Sequence, residues 1–155
     1  MNYNNNQLVE LINKAQIYRQ FNHINKRVSQ ELLFEFLSGI YSLFEVVKDV
    51  RAIDGYSKDV VDYVWYFQNL PVVVAKVIDM NNESDKDVKV YKNIFRLNRT
   101  VKYIILSDGF SYIIYHNNAG NIMLYKIIDL AKLTKNDKIK YSSMNDMEII
   151  HEIEK

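Results

Sequence analysis

The chain has 155 residues, of which 48% are hydrophobic and 25% charged; this fits one self-folding globular domain, 1–155, and excludes disordered, collagen-like and multidomain chains. Twenty basic against nineteen acidic side chains leave a formal charge of +1, so affinity for nucleic acid has to come from a local cluster rather than from bulk charge. The chain contains no cysteine, which excludes a disulfide framework and a thiolate nucleophile and fits a reducing, cytoplasmic setting.

The Asn-rich start, residues 1–7, lacks the apolar core of a signal peptide, and no apolar run approaches the roughly 18 residues that span a bilayer. The expectation is an unexported protein with no membrane partner. From 7 to 21, Leu8, Leu11, Ile12, Ala15 and Ile17 or Tyr18 recur at three- and four-residue spacing and predict an amphipathic helix. After a polar break at 22–27, the set Leu32, Leu33, Phe36, Leu37, Ile40, Leu43, Phe44 and Val47 predicts a second helix over 28–47.

The period then changes. Segments 48–54 and 60–67 are β-branched and aromatic, are separated by the turn Asp54-Gly55, and are followed by Pro71-Val72-Val73-Val74. They predict three antiparallel strands. Residues 84–99 return to helical period. On a wheel of about 100° per residue, Lys86, Lys89, Lys92, Arg96 and Arg99 form a basic stripe, and Val88, Val90, Tyr91, Ile94, Phe95 and Leu97 an apolar face with Asp87 at its middle. Three more strands are expected at 101–106, 110–115 and 122–128, divided by Ser107-Asp108-Gly109 and by 117–121, both turn signals. Met144, Met147, Ile150 and Ile153 predict a C-terminal helix over 143–155. The order implies an α+β (mixed α/β) fold, with helices flanking one central sheet.

Most catalytic motifs are excluded by missing residues. His23, His116 and His151 lack ligand spacing, and the four glycines, Gly39, Gly55, Gly109 and Gly120, are too scattered for a phosphate-cradling loop. What remains is Asp62 within Val61-Asp62-Tyr63-Val64 and Lys76 at the end of Val73-Val74-Ala75-Lys76. An acid and a lysine in apolar strands are costly unless paired or functional. An aspartate holding a divalent metal beside a lysine that helps deprotonate water is an arrangement for phosphodiester hydrolysis, and a plain ion pair is the structural alternative. Both readings require the two side chains on one sheet face. A three-residue loop at 68–70 would put them there, whereas an even-length loop without a bulge would separate them.

Residues 27–37, Val61-Asp62-Tyr63-Val64, the stretch 71–76, Tyr91, and 101–115 with Leu106-Ser107-Asp108-Gly109 resemble the amino-terminal nuclease domain of type I restriction enzyme R subunits and its small standalone relatives, within the PD-(D/E)xK nucleases. The resemblance runs over about 27–130. It implies a restriction-endonuclease-like core of helix, three strands, helix and strand, with a magnesium-dependent site for DNA hydrolysis. Asp62 and Lys76 match the motif's Asp and Lys, whereas Val74 stands where the motif has Glu. A valine cannot coordinate magnesium, so the implied metal ligands are Asp62, the Ala75 carbonyl and water.

Two further carboxylates enter as implied ligands. Asp87 is paired at four-residue spacing with Tyr91, where the family often has Gln and Tyr, and is placed to supply the missing carboxylate. Glu31 lies on the first core helix, where related nucleases often carry a glutamate. The basic stripe, Lys86 to Arg99, would follow a phosphate backbone. With Val74 in the motif, the alternative is a nuclease-fold module that binds DNA or a protein partner without chemistry, in a defence or anti-defence system.

Overall fold

The computed structural model of the chain describes residues 5–20, 25–41, 44–48, 61–82, 86 and 100–133. Two helices come first, α1 over Asn5–Gln20 and α2 over Lys26–Ile40. Six strands follow: β1 Glu45–Lys48, β2 Tyr63–Phe67, β3 Leu70–Val77, β4 Tyr103–Ser107, β5 Ser111–Asn118 and β6 Asn121–Asp129. A 3-10 turn, Leu130–Lys132, closes the described chain.

The strands form one sheet in sequence order, β1 to β6. Every neighbouring pair is antiparallel except β3 and β4, which run parallel. The fold is therefore α+β with a mixed sheet. Antiparallel neighbours need only tight turns, but a parallel pair needs a chain crossover, which is why some 25 residues separate β3 from β4.

Period-two alternation divides the sheet into two faces. Tyr63, Trp65, Val73, Ala75, Tyr103, Ile105 and Tyr112 point to the helix side, where they pack with Leu8, Leu11, Ile12 and Ala15 of α1 and with Leu32, Leu33, Phe36, Leu37 and Ile40 of α2. Phe36 and Tyr112 are both fully buried, with ring centroids 4.8 Å apart. Val64, Val74, Ile104 and Leu106 point the other way, into a smaller cluster with Val61, Ile78, Val101 and Ile122. Removing a side chain such as Phe36 from the larger cluster would cost about 3–5 kcal/mol.

The turns follow their residues. Gln68 and Asn69 both have positive φ, 50° and 65°, the geometry that two-residue hairpins demand. Ala119 and Gly120 repeat it between β5 and β6 at 51° and 90°. Gly109, expected to supply a positive φ in the turn between β4 and β5, does so at 91°. A Cβ there would lie 2.8 Å from the Ser29 backbone, so this glycine also lets the turn sit directly against α2.

Several boundaries differ from the sequence expectation. The second helix was expected over 28–47, but α2 ends at Ile40. Tyr41 caps it at φ −103° and ψ 48°, its N–H donating to the Leu37 carbonyl at 2.8 Å. The apolar residues beyond that point fit either period, and strand pairing takes them: Val46 lies opposite Trp65 in β1, and Phe44 is buried against Tyr41 and Phe67. β1 thus begins at Glu45, ahead of the expected 48–54, of which 49–54 lies outside the described residues. Tyr18, not Ile17, continues the packed face of α1, since Ile17 is 54% exposed. The expected helix over 84–99, apart from Lys86, and the expected helix over 143–155 also lie outside the described residues.

Candidate functional site

Asp62 sits one residue ahead of β2, where the chain bends into the sheet. The β2–β3 register pairs Tyr63 with Ala75, Val64 with Val74 and Trp65 with Val73, then shifts by one at Tyr66. One step back along the same register sets Asp62 opposite Lys76. The connecting turn has two residues, Gln68 and Asn69, and by itself would have put the pair on opposite faces. The bulge between Trp65 and Tyr66 restores the parity.

The result is a tight polar corner. The Asp62 N–H donates to the Ala75 carbonyl at 2.9 Å. Its Oδ2 accepts the N–H of Val77, the last residue of β3, at 2.7 Å, beyond the point where the ladder with β2 ends. Lys76 Nζ lies 3.9 Å from the same oxygen, and the two side chains are only 21% and 13% exposed. From α2, Gln30 Nε2 makes a weak 3.5 Å contact to Oδ1, and the Gln30 carbonyl accepts the Tyr63 hydroxyl at 3.3 Å. A carboxylate this withdrawn from water is retained because an N–H, an amide and an ammonium group replace its hydration.

Beside this corner a cavity of about 600 Å³ opens between the start of α2 and the carboxyl ends of β3 and β4, lined by Asn25, Lys26, Ser29, Val77, Asp79 and Asp108 among others. Val77 is shared, donating to Asp62 and lining the cavity. The fold builds its rim from local bonds. Asn25 caps α2 through Val28 N at 3.0 Å, Asp79 accepts from Asn81 N at 2.9 Å, and Asp108 accepts from Phe110 N and Ser111 N at 2.9 and 2.8 Å.

The structure thus brings together Asp62, Lys76 and the Ala75 carbonyl, the last already accepting one hydrogen bond. Val74 is fully buried in the apolar cluster of the face opposite the helices. Glu31 is exposed and pairs with Arg27 at 3.4 Å one helical turn away; the α2 residue that reaches Asp62 is Gln30. Asp87, Tyr91, Lys89, Lys92, Arg96 and Arg99 lie outside the described residues, and Lys86, the described member of the basic stripe, is half-buried. Among the described residues no three His, Cys, Asp or Glu side chains are grouped to hold a metal ion, so Asp62 is the one sequence candidate placed to offer a carboxylate there.

Sequence reasoning missed Gln30 and the Val77 N–H. Gln30 had a signal, because it lies about 60° nearer the centre of the apolar stripe of α2 than Glu31 does. The Val77 N–H had none, since it is main chain. No helix among the described residues is long and apolar enough to cross a membrane. Compared with family models, curated proteins and solved structures, the chain matches none of them.

Proposed function

We propose that this chain is a PD-(D/E)xK nuclease-like protein that acts on DNA in the cytoplasm, with a degenerate metal site and hence weak or altered magnesium-dependent phosphodiester hydrolysis. The observation that carries the reading is the meeting of Asp62 and Lys76, 3.9 Å apart at the end of adjacent strands. The order of elements supports it in part: helix α2, three antiparallel strands and a later strand follow the order that the sequence resemblance implies, the helix expected between the third and fourth strands lying outside the described residues apart from Lys86.

In this reading Asp62 and the Ala75 carbonyl would hold Mg2+, and the Lys76 ammonium would orient the attacking water by donating to it. Bound magnesium would neutralise charge developing on the phosphate. DNA would approach through the cavity beside Val77, with Lys26 on its backbone; the basic residues Lys89, Lys92, Arg96 and Arg99 lie outside the described residues.

A second reading is favoured by Val74, whose burial among Val64, Ile104 and Leu106 leaves no second strand carboxylate, and by the contacts that already satisfy Asp62. In it the fold binds DNA or a protein partner in a defence or anti-defence system without cutting. One experiment addresses both. Binding of labelled duplex is followed against salt, and plasmid nicking is followed with Mg2+ or Mn2+ for wild type, Asp62→Ala, Lys76→Ala and Val74→Glu. Nicking that disappears in the first two variants and grows in the third supports the nuclease reading. Salt-sensitive binding without nicking supports the second, and absence of salt-sensitive binding refutes the DNA reading altogether.

A further inference from the structure

We propose that the cavity beside Val77 is a site for a nucleoside 5′-monophosphate, its phosphate held at the start of α2 by Lys26 and Ser29 and its nucleoside set against the strand ends. This chemistry has two sources, a free mononucleotide and the 5′-phosphorylated end of a DNA strand. For the second source the inference rests on the DNA reading given above.

Ser29 interrupts a pattern. The buried face of α2 runs Ser29, Leu32, Leu33, Phe36, Leu37 and Ile40, so a serine holds the first position of an otherwise apolar stripe. It is only 5% exposed. Its N–H donates to the Asn25 carbonyl at 3.0 Å, whereas its hydroxyl has no hydrogen-bond partner among the described residues. Buried hydroxyls are as a rule bonded, and this one belongs to a residue that lines the cavity. The serine is also held in place, because Gly109 lies so close that a Cβ there would stand 2.8 Å from the Ser29 Cα and carbonyl oxygen.

The helix start adds donors to that hydroxyl. The first N–H groups of a helix have no partner inside it. Asn25 takes the one from Val28, at 3.0 Å, which leaves those of Lys26 and Arg27 for a group in front of the helix. They carry the positive end of the helix dipole and favour an anion, and Lys26, exposed on the same rim, adds a full charge. The wall at the strand ends is of another kind. Ile78 and Met80 are apolar there, and Asp79 and Asp108 are acceptors. Asp108 Oδ1 takes the N–H groups of Phe110 and Ser111, which offsets part of its charge. Carboxylates repel a phosphate and accept from a hydroxyl or an amino group, so the phosphate belongs at the helix and the sugar and base at the acids. The volume of about 600 Å³ is far more than a phosphate ion fills and lies within the roughly 300–1,000 Å³ of small-molecule sites. The cavity also stands at the carboxyl ends of the parallel pair β3 and β4, the end of a sheet at which ligands bind in folds with parallel strands.

The test is binding to the full chain without divalent metal, by calorimetry and thermal unfolding. The probes are each deoxynucleoside 5′-monophosphate, the matching nucleosides, inorganic phosphate, and one DNA single strand with either a 5′-phosphate or a 5′-hydroxyl end. At least one monophosphate should bind and raise the melting temperature, with its nucleoside and inorganic phosphate each weaker by about tenfold or more. Ser29→Ala and Lys26→Met should each weaken that binding by about fivefold or more. Without nucleotide, Ser29→Ala should melt no lower than wild type, because the hydroxyl it removes has no bond to lose; a marked fall would mean that the fold itself uses the hydroxyl and overturns the proposal. Binding that neither variant changes overturns it as well. A strand preferred through its 5′-phosphate end supports the DNA source. A monophosphate bound with no preference between the two strands supports the free mononucleotide, and the inference then stands without the DNA reading. DNA bound equally with either end, and no monophosphate bound, overturns the inference and leaves the DNA reading intact.

Discussion

The corner at Asp62 and the outer edge of β6 break the same rule in opposite directions. At the corner a carboxylate and an ammonium group are largely withdrawn from water; at the edge four large apolar side chains stand in it. The corner is compensated within the chain, by the Val77 N–H, by Lys76 and by Gln30. At the edge the described contacts within one copy are those of the Tyr125 ring with Tyr103, His116 and Lys126. A polar group can be satisfied by two or three well-aimed bonds, whereas apolar surface is relieved only by area, which a sheet edge does not supply to itself. The first region is therefore read for chemistry, and the second for what its exposed side chains contribute to stability.

The largest expected effect breaks the corner from a distance. Gly109→Ala places a Cβ against the Ser29 backbone at a φ of 91°, so α2 has to move from the sheet end that holds Gln30 near Asp62. Thermal or denaturant unfolding should show a loss of about 3 kcal/mol or more, because strain at positive φ and a main-chain clash act together.

Removing the acid itself tests the compensation directly. Asp62→Ala leaves the Val77 N–H without its side-chain acceptor and takes a carboxylate from beside Lys76, and should cost about 2 kcal/mol. Lys76→Met keeps the aliphatic stem but leaves the Asp62 carboxylate to the Val77 N–H and Gln30, and should cost about 1 kcal/mol, less than Asp62→Ala, because the ammonium lies 3.9 Å away, beyond hydrogen-bonding distance, and the pair keeps some contact with water. A larger loss for Lys76→Met than for Asp62→Ala, measured by urea unfolding, would reverse the account of which group organises the corner.

A smaller effect separates both regions from an ordinary surface pair. Lys14 Nζ lies 2.8 Å from Glu35 Oε1, joining α1 to α2. The hydrogen bond to Glu35 holds the Lys14 pKa above its ordinary 10.5, against a small opposing effect of burial. A folded pKa above the unfolded one means that the pair's contribution is complete below pH 10.5 and is lost as pH rises through the higher folded value. Both side chains are more than a third exposed, so solvent screening keeps the contribution to roughly 0.5 kcal/mol. Lys14→Met should lower stability by that amount at neutral pH and make no difference at strongly alkaline pH.

The smallest effect belongs to the edge. Leu124→Ser and Ile127→Ser, at positions 56 and 65% exposed, should change the unfolding free energy in dilute solution by less than about 0.5 kcal/mol. A large loss at low concentration would mean that these side chains already pack within one copy.

The elements were legible wherever residues repeat at a single period. Leu8 to Ala15 and Leu32 to Ile40 mark their helices, and the alternation along 101–128 marks the three later strands. Gly109 announced its own turn. The end of α2 was not legible, because Phe44 and Val47 satisfy a helical stripe and a strand alike, and only the partner strand decides between them. The same holds for the site. The sequence singled out Asp62 and Lys76 by the cost of charge in apolar strands, and could require that they share a face without showing that they do.

That sharing depends on a two-residue turn and a bulge cancelling each other, and a bulge arises from how two strands twist together, which no local pattern encodes. The chain's own order of residues determined the kinds of elements, the apolar faces and the two charged candidates, because period and transfer cost are local properties. Tertiary structure alone decided that β3 and β4 run parallel, that Gln30 rather than Glu31 meets Asp62, that a main-chain N–H binds the carboxylate, and that β6 is the last of the described strands in the sheet. Each of these depends on which segments lie side by side, and that is fixed only when the whole core closes.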